Sequence, residues 1–101
     1  MTANGVRGEV TATLAGVERR LCLTLGALAE IETGLGVDGI GTLAERLRTL
    51  SARDLTVVLA ALLRGGGELE LAGELDRAAI APGEAAEAVA KAFVASSGQA
   101  G

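Results

Sequence analysis

The sequence contains no histidine, tryptophan or tyrosine, and only one phenylalanine, one cysteine and one proline in 101 residues. Without histidine the chain lacks the usual general base and the commonest metal ligand. Without tryptophan and tyrosine it lacks the usual anchors of protein interfaces and the platforms on which nucleic-acid bases stack. The single cysteine, Cys22, cannot form an internal disulfide and indicates a reducing compartment. No catalytic or metal-binding residue is predicted.

Two glycine-rich stretches mimic nucleotide-binding motifs without their context. Gly34-x-Gly36-x-x-Gly39 has the spacing of a dinucleotide fingerprint, but it follows a helical pattern, and no strand–helix–strand unit fits around it. The triplet at 65–67 has no Lys-Ser/Thr pair after it, which favours a helix end and a hinge. We therefore predict no cofactor and no enzymatic activity.

The charge balance and the apolar runs exclude two further classes of partner. The formal net charge is −4, and no basic run exceeds Arg19-Arg20, so a phosphate-binding footprint is absent and no nucleic acid is expected. The N-terminal sequence MTANGVRGEV has no apolar signal region. The longest strongly apolar run, at 55–63, is far shorter than the roughly 20 residues of a membrane span. We expect no membrane association.

A β-hairpin is predicted near the N-terminus, because apolar and polar residues alternate through 8–14 and 17–25. If Ala15-Gly16 is a two-residue turn, Val10 lies opposite Leu21, and both strands place their apolar residues on one face. Alanine resists positive φ, so this turn is weaker than Asn-Gly. On the same register Cys22 falls on the polar face. A hairpin this small needs helices against its apolar face.

The first helix follows directly, with Thr24 as its N-cap and an end near Gly34. Glu32 projects into the middle of the apolar arc of this helix. A buried carboxylate needs a partner, so we expect Glu32 to form a salt bridge or to face another protein. The candidate arginines are Arg46, Arg53 and Arg64.

Two capping boxes open the next two helices, Thr42 with Glu45 and Ser51 with Asp54. The third helix, which continues to Leu63, is apolar nearly all round. Such a helix is either the buried centre of a fold or part of a protein interface.

A fourth helix is predicted over 68–79. Pro82 is well placed as the first residue of a last helix, whose amphipathic pattern covers 84–96. The predicted fold class is α+β, mainly α, with an N-terminal two-stranded β-hairpin packed on four to five short helices. The predicted division is a flexible N-terminus at 1–7, a single domain at 8–95 and a frayed C-terminus at 96–101.

The hairpin GEVTATLAGVERRLCLTL, followed by TLGALAEIETGLG and LSARDLTVVLAALLRGGG, resembles the small tail-assembly proteins of phage-like gene transfer agents. The resemblance covers roughly Gly8 to Phe93. It implies a non-enzymatic tail assembly chaperone in the bacterial cytoplasm, which binds the tape measure protein and helps to recruit the tail tube protein, with possible self-association.

As a hypothesis, the third helix, the last helix and the hairpin edge form the partner-binding surface. The residues assigned to partner binding are Glu32, Val57, Leu59, Leu63, Val89 and Phe93.

Two alternatives stay open. Members of this family are sometimes described as tail tube proteins, so a structural, tube-associated role is the first. The sequence speaks against a place in the tube wall, because tube subunits pack a β-sandwich or barrel and only two alternating segments are found here. The second is a small helical adaptor or dimerisation domain unrelated to phage.

Overall fold

The computed structural model describes residues 8–97, in which two strands and five α-helices follow one another along the chain. The predicted flexible start at 1–7 lies outside the described residues, as do residues 98–101. The elements are β1 (Glu9–Leu14), β2 (Val17–Cys22), α1 (Leu25–Leu35), α2 (Ile40–Arg46), α3 (Ala52–Gly65), α4 (Leu69–Ala72) and α5 (Pro82–Ser97). A short 3-10 turn, Leu47–Thr49, follows α2. This order confirms the predicted α+β, mainly α class.

The strands β1 and β2 form an antiparallel hairpin in the register predicted from the alternation. Val10 lies opposite Leu21, and the rung next to the turn joins residues 14 and 17. Both turn residues have left-handed backbone, with φ of 55° at Ala15 and 83° at Gly16. Glycine adopts this conformation freely, whereas an L-residue with a Cβ loses roughly 1–2 kcal/mol there. The hairpin therefore has a strained alanine at its tip.

The helix α3 lies at the centre of the fold, as its apolar pattern predicts. It packs against α1, β2, α4 and α5, and every residue from Val58 to Leu63 is buried. Its start has the predicted capping box: the Asp54 N–H donates to the Ser51 hydroxyl at 3.1 Å, and the Ser51 N–H donates to the Asp54 carboxylate at 3.5 Å.

The C-terminal end of α3 closes the outer edge of β2. Gly66 lies so close to the Arg20 carbonyl that a Cβ at this position would overlap it. Just beyond, the Glu68 carboxylate accepts hydrogen bonds from the Arg20 N–H at 3.0 Å and from the Arg19 guanidinium at 3.1 Å. The bond from the Arg20 N–H, supported by Arg19, lowers the pKa of Glu68. The outward-facing N–H of Arg20 at the edge of β2 is therefore satisfied within the chain.

Cys22 is buried, with 3% of its surface exposed. The prediction that it lies on an exposed polar face is therefore wrong. The alternation along β2 contains no information about α3, whose Gly65 packs against the Cys22 carbonyl. Burial, with a smaller effect of the nearby Glu9 carboxylate, raises the pKa of the Cys22 thiol. A raised pKa leaves less of the reactive thiolate at neutral pH.

The helix α1 begins as predicted, because the Thr24 hydroxyl accepts a hydrogen bond from the Ala27 N–H at 3.0 Å. It ends at Leu35, which confirms the predicted end near Gly34, and Gly36 is the left-handed C-cap with φ of 70°. The helix α2 begins earlier than its predicted capping box, at Ile40. Its N-cap is Gly39, which has no side chain to cap with, so the predicted box at 42–45 is wrong.

Two other sequence predictions, a long fourth helix and a salt bridge of Glu32, are wrong because they depend on tertiary contacts, whereas the alternative that Glu32 faces another protein stays a prediction. The predicted helix over 68–79 is limited to the single turn of α4, and residues 73–77 form turns. Glu32 forms no ion pair with any residue in 8–97. Arg64 pairs with Glu30 at 3.1 Å and Arg46 pairs with Asp54 at 3.0 Å, so both are engaged elsewhere.

The helix α5 begins at Pro82, as predicted, and runs to Ser97. It packs along β1, and the Lys91 ammonium donates a hydrogen bond of 2.7 Å to the Thr11 carbonyl. At the other end of the strand, the Ala15 N–H donates to the Glu84 carboxylate at 3.4 Å. These two contacts hold α5 antiparallel to β1.

The strained turn gives a first prediction. Ala15→Asn should raise the free energy of unfolding by about 1 kcal/mol, because asparagine tolerates left-handed backbone better than alanine. Gly16→Ala is the control: nothing lies within 4 Å of its added Cβ, so backbone strain alone should lower stability by about 1–2 kcal/mol. Urea denaturation measures both, and equal effects of the two variants would contradict the conformational explanation.

The contact between α3 and β2 gives a second prediction. Gly66 has φ of −91°, which any residue adopts, so the cost of Gly66→Ala comes from overlap with Arg20. We expect it to lower the free energy of unfolding by about 1–3 kcal/mol. Gly83→Ala, also near a helix end but with no atom within 4 Å of the added Cβ, should leave stability unchanged or raise it by up to about 1 kcal/mol. Urea unfolding curves measure the free energy of unfolding of both variants. If Gly66→Ala does not lower it, the end of α3 can move away from β2 without loss of stability.

Candidate interaction surface

A depression of about 520 Å³ opens between α1, α2 and α5. It is almost entirely apolar. The residues that line it are Leu23, Thr24, Leu25, Leu28, Leu43, Ala44, Leu47, Phe93, Val94 and Ser96. Two of them project into solvent, since Leu25 is 84% exposed and Val94 is 69% exposed. Such exposure of large apolar side chains around one depression is typical of a surface that binds another protein.

Two further depressions continue the first along α5. The middle one shares Leu47 and Phe93 with the first, and its other walls include Leu50, Leu55, Val89 and Arg48. The third shares Leu55 with the middle one and ends at Ala85 and Pro82. We call the three together the apolar track. It follows α5 from its first residue to Ser96.

The length of the track is set by α5. That helix has 16 residues, and at about 1.5 Å per residue it is about 24 Å long. One wall is the face of α5 that contains Val89 and Phe93, and the opposite wall is formed by α1, by α2 with the turn after it, and by α3. An apolar groove of this length has the dimensions of a helix of about four turns.

Arg46 fixes the wall that α2 provides. Its guanidinium donates one hydrogen bond of 3.0 Å to the Leu35 carbonyl at the end of α1 and another of 3.0 Å to the Asp54 carboxylate at the start of α3. This bridge holds α2 between the two longer helices. Leu43 and Leu47, on and next to α2, are thereby kept in the wall of the track.

The Asp54 carboxylate in this bridge has a lowered pKa. Partial burial acts to raise the pKa, but hydrogen bonds from the Arg46 guanidinium and the Ser51 N–H, together with the positive charge of Arg46, outweigh it. The ionised form is therefore the one that the folded chain stabilises.

The structure distributes the six predicted partner-binding residues over four places. Leu59, Val89 and Phe93 line the track, but Leu59 is 2% exposed and Val89 is 5% exposed, so their contribution is mainly to its floor. Leu63 is completely buried in the core.

The remaining two lie away from the track. Val57 packs against Gly34 between α3 and α1, and Glu32 borders a shallow polar depression beside Gly36 and Asp38. The assignment of these residues to partner binding stays a prediction.

Sequence reasoning missed the most exposed apolar residues of the track, Leu25 and Val94. A helical pattern cannot tell an inward apolar residue from one that borders an open groove. A detectable signal was the spacing of Ala86, Ala90, Phe93 and Val94, which places a second apolar stripe on α5 beside its buried one.

No group of three or more acidic, cysteine or histidine side chains in residues 8–97 stands close enough to hold a metal ion. No helix in this part of the chain has the length and apolarity needed to cross a bilayer.

A family model described as phage tail tube protein, GTA-gp10, matches residues 7–96, which is about nine-tenths of the chain. No curated protein and no solved structure matches the chain.

The bridge through Asp54 gives a prediction on pH. Because the folded pKa lies below the ordinary value of 3.8, the carboxylate stabilises the fold fully above that value, and this contribution is lost as pH falls through the folded pKa. Asp54→Asn should therefore flatten the loss of stability between about pH 5 and pH 2, measured as the urea midpoint at each pH. Asp38→Asn, at an exposed aspartate without an ion pair among residues 8–97, should leave the profile as in the parent chain. Parallel profiles for all three proteins would mean that Asp54 does not contribute to acid sensitivity.

Proposed function

The chain belongs to the family described as phage tail tube protein, GTA-gp10, and on this premise we propose that it is a structural, tube-associated component of a phage-like or gene-transfer-agent tail. Its role is non-enzymatic and consists of binding other tail proteins. The observation that carries this proposal is the apolar track, which leaves Leu25 and Val94 in solvent although the chain has a complete core of its own. Family membership speaks against an adaptor unrelated to phage.

A tube-associated role differs from a place in the tube wall. The part of the chain that the structure describes contains one sheet of two strands, whereas a closed wall of β-structure needs many. We therefore place the contact with the tube on the helical side of the domain, where the track lies. The tail tube protein and further copies of this chain are the partners that fit the family description.

The second candidate function is the tail assembly chaperone. A specific feature favours it: the track is a groove of about four helical turns, bordered by exposed apolar side chains. Grooves of this kind bind amphipathic helices, and the tape measure protein is the long helical tail protein that such a chaperone would hold soluble in the cytoplasm. In this case the chain would act before the particle is complete.

A substitution in the track tests both versions of tail-protein binding. Leu25→Asp should weaken co-purification with co-expressed tail tube and tape measure proteins at least about tenfold, because a buried leucine contributes roughly 1.5–3 kcal/mol. Leu25 is the first residue of α1, where an aspartate suits the helix dipole, so the fold should persist. Unchanged co-purification by Leu25→Asp would refute a binding role for the track.

The matched control is Leu69→Asp. Leu69 is also the first residue of a helix, is 65% exposed and lies outside the track. We expect this variant to bind tail proteins like the parent chain, and circular dichroism should give similar melting curves for both variants. Equal losses of binding would indicate a general effect of added negative charge.

The composition of purified particles separates the two candidate functions. As a tube-associated component, the chain should be present in a fixed ratio to the tail tube subunit when particles are quantified by mass spectrometry. As a chaperone, it should be missing from particles while the tape measure protein depends on it for solubility. The second result would replace the first proposal.

A further inference from the structure

We propose that the track binds an amphipathic helix of a partner protein, and that this helix carries a carboxylate opposite Arg48. The inference rests on the proposed function, in which the track is a surface for tail proteins. It adds the chemistry of the segment that occupies the track.

Arg48 is the one charged residue that lines the track among residues 8–97. It forms part of the middle depression, together with Leu50 and Phe93, and the other two depressions are lined by apolar, threonine and serine residues. The chain as a whole is acidic. A cation at the centre of an apolar groove in an acidic protein gives the track a local charge opposite to that of the chain.

Arg48 is also available for a partner. Most arginines of the described chain are engaged: Arg46 with Asp54, Arg64 with Glu30, and the pair at 19–20 with Glu68. Arg48 is exposed and has no ion pair within residues 8–97. A guanidinium forms two parallel hydrogen bonds with a carboxylate, so the complementary group on the partner is aspartate or glutamate.

The shape of the track selects a helix. It runs along α5, which is about 24 Å long, and apolar side chains recur along it from Pro82 to Val94. A helix of about four turns with apolar residues three and four positions apart presents a continuous stripe of this length. The carboxylate belongs near the middle of that helix, because Arg48 lies in the middle depression.

A second copy of the chain is a poorer occupant. In the described residues the exposed large apolar side chains are Val17, Leu25, Leu69 and Val94. Leu25 and Val94 are in the track itself, Val17 is on a strand, and Leu69 is on the one-turn helix α4. No helix outside the track therefore presents an apolar stripe of four turns to a neighbouring copy.

The test uses two synthetic 16-residue peptides with the same leucine stripe at helical spacing. One has glutamate and the other lysine at a single central position beside the stripe. Fluorescence anisotropy with the full chain should give about fivefold tighter binding of the glutamate peptide, which corresponds to one exposed charge pair. Arg48→Glu should reverse this preference, and 1 M salt should reduce it in the parent chain.

The matched control is Arg77→Glu, which makes the same change of net charge at an exposed arginine outside the track. It should keep the preference for the glutamate peptide. The inference is overturned if the parent chain binds both peptides equally or binds neither, or if Arg48→Glu leaves the preference unchanged.

Sedimentation velocity tests the remaining candidate for the track, a second copy of the chain. A dimer or larger assembly of the parent chain that Arg48→Glu dissociates would assign the track to a second copy and would also overturn the inference. The proposed function has its own readout, since Leu25→Asp reports on co-purification of tail proteins whatever the peptides do. If Leu25→Asp weakens binding of tail proteins while Arg48→Glu leaves the peptide preference unchanged, the proposed function stands and the inference about Arg48 fails.

Discussion

The fold depends on the contact between the C-terminal end of α3 and the outer edge of β2. A two-stranded hairpin alone is marginal in water, and an open strand edge offers unpaired N–H and C=O groups to other chains. Here Gly65 and Gly66 pack against the backbone carbonyls of β2, and Glu68 accepts the Arg20 N–H. Two glycines in sequence are required, because any side chain would separate the helix from the strand.

This contact places α3 in the middle of the domain, and the apolar track follows from that placement. With α3 packed against β2 at its end, α1 and α5 pack against other sides of it. The chain has one aromatic side chain, Phe93, and its core is built mostly of leucine, valine and alanine. The groove between α5 and the helices opposite it is left unfilled by side chains of the chain itself. The same arrangement that completes the core thus leaves Leu25 in solvent.

Much of the fold is predictable from sequence where the deciding residues are close together along the chain. The hairpin register depends on alternation around a two-residue turn, and the caps at Thr24 and Ser51 and the helix start at Pro82 depend on neighbours within one helical turn. The errors concern residues whose environment is set by distant segments. Burial of Cys22 depends on Gly65, and the pairing of Glu30 rather than Glu32 with Arg64 depends on how α1 meets α3.

The candidate surface is predictable only in part, for the same reason. Helical periodicity identifies Val89 and Phe93 as apolar residues of the last helix. It cannot show that the neighbouring stripe on α5 borders a groove, because the opposite wall is provided by α2, which Arg46 holds in place through residues at 35 and 54. The position of Arg48 within an apolar depression becomes visible only when the helices are packed.

The two strand edges also limit how a member of a tail tube family can join a tail. The edge of β2 is closed by α3 and Glu68, and on β1 the Lys91 ammonium is bound to the Thr11 carbonyl. Addition of a strand from another subunit would have to break a charged hydrogen bond, which typically contributes more than a neutral one. The track needs no such rearrangement, since Leu25 and Arg48 are exposed in the folded chain. Contacts between side chains in the track are therefore the more accessible route to the tail than backbone pairing at the sheet.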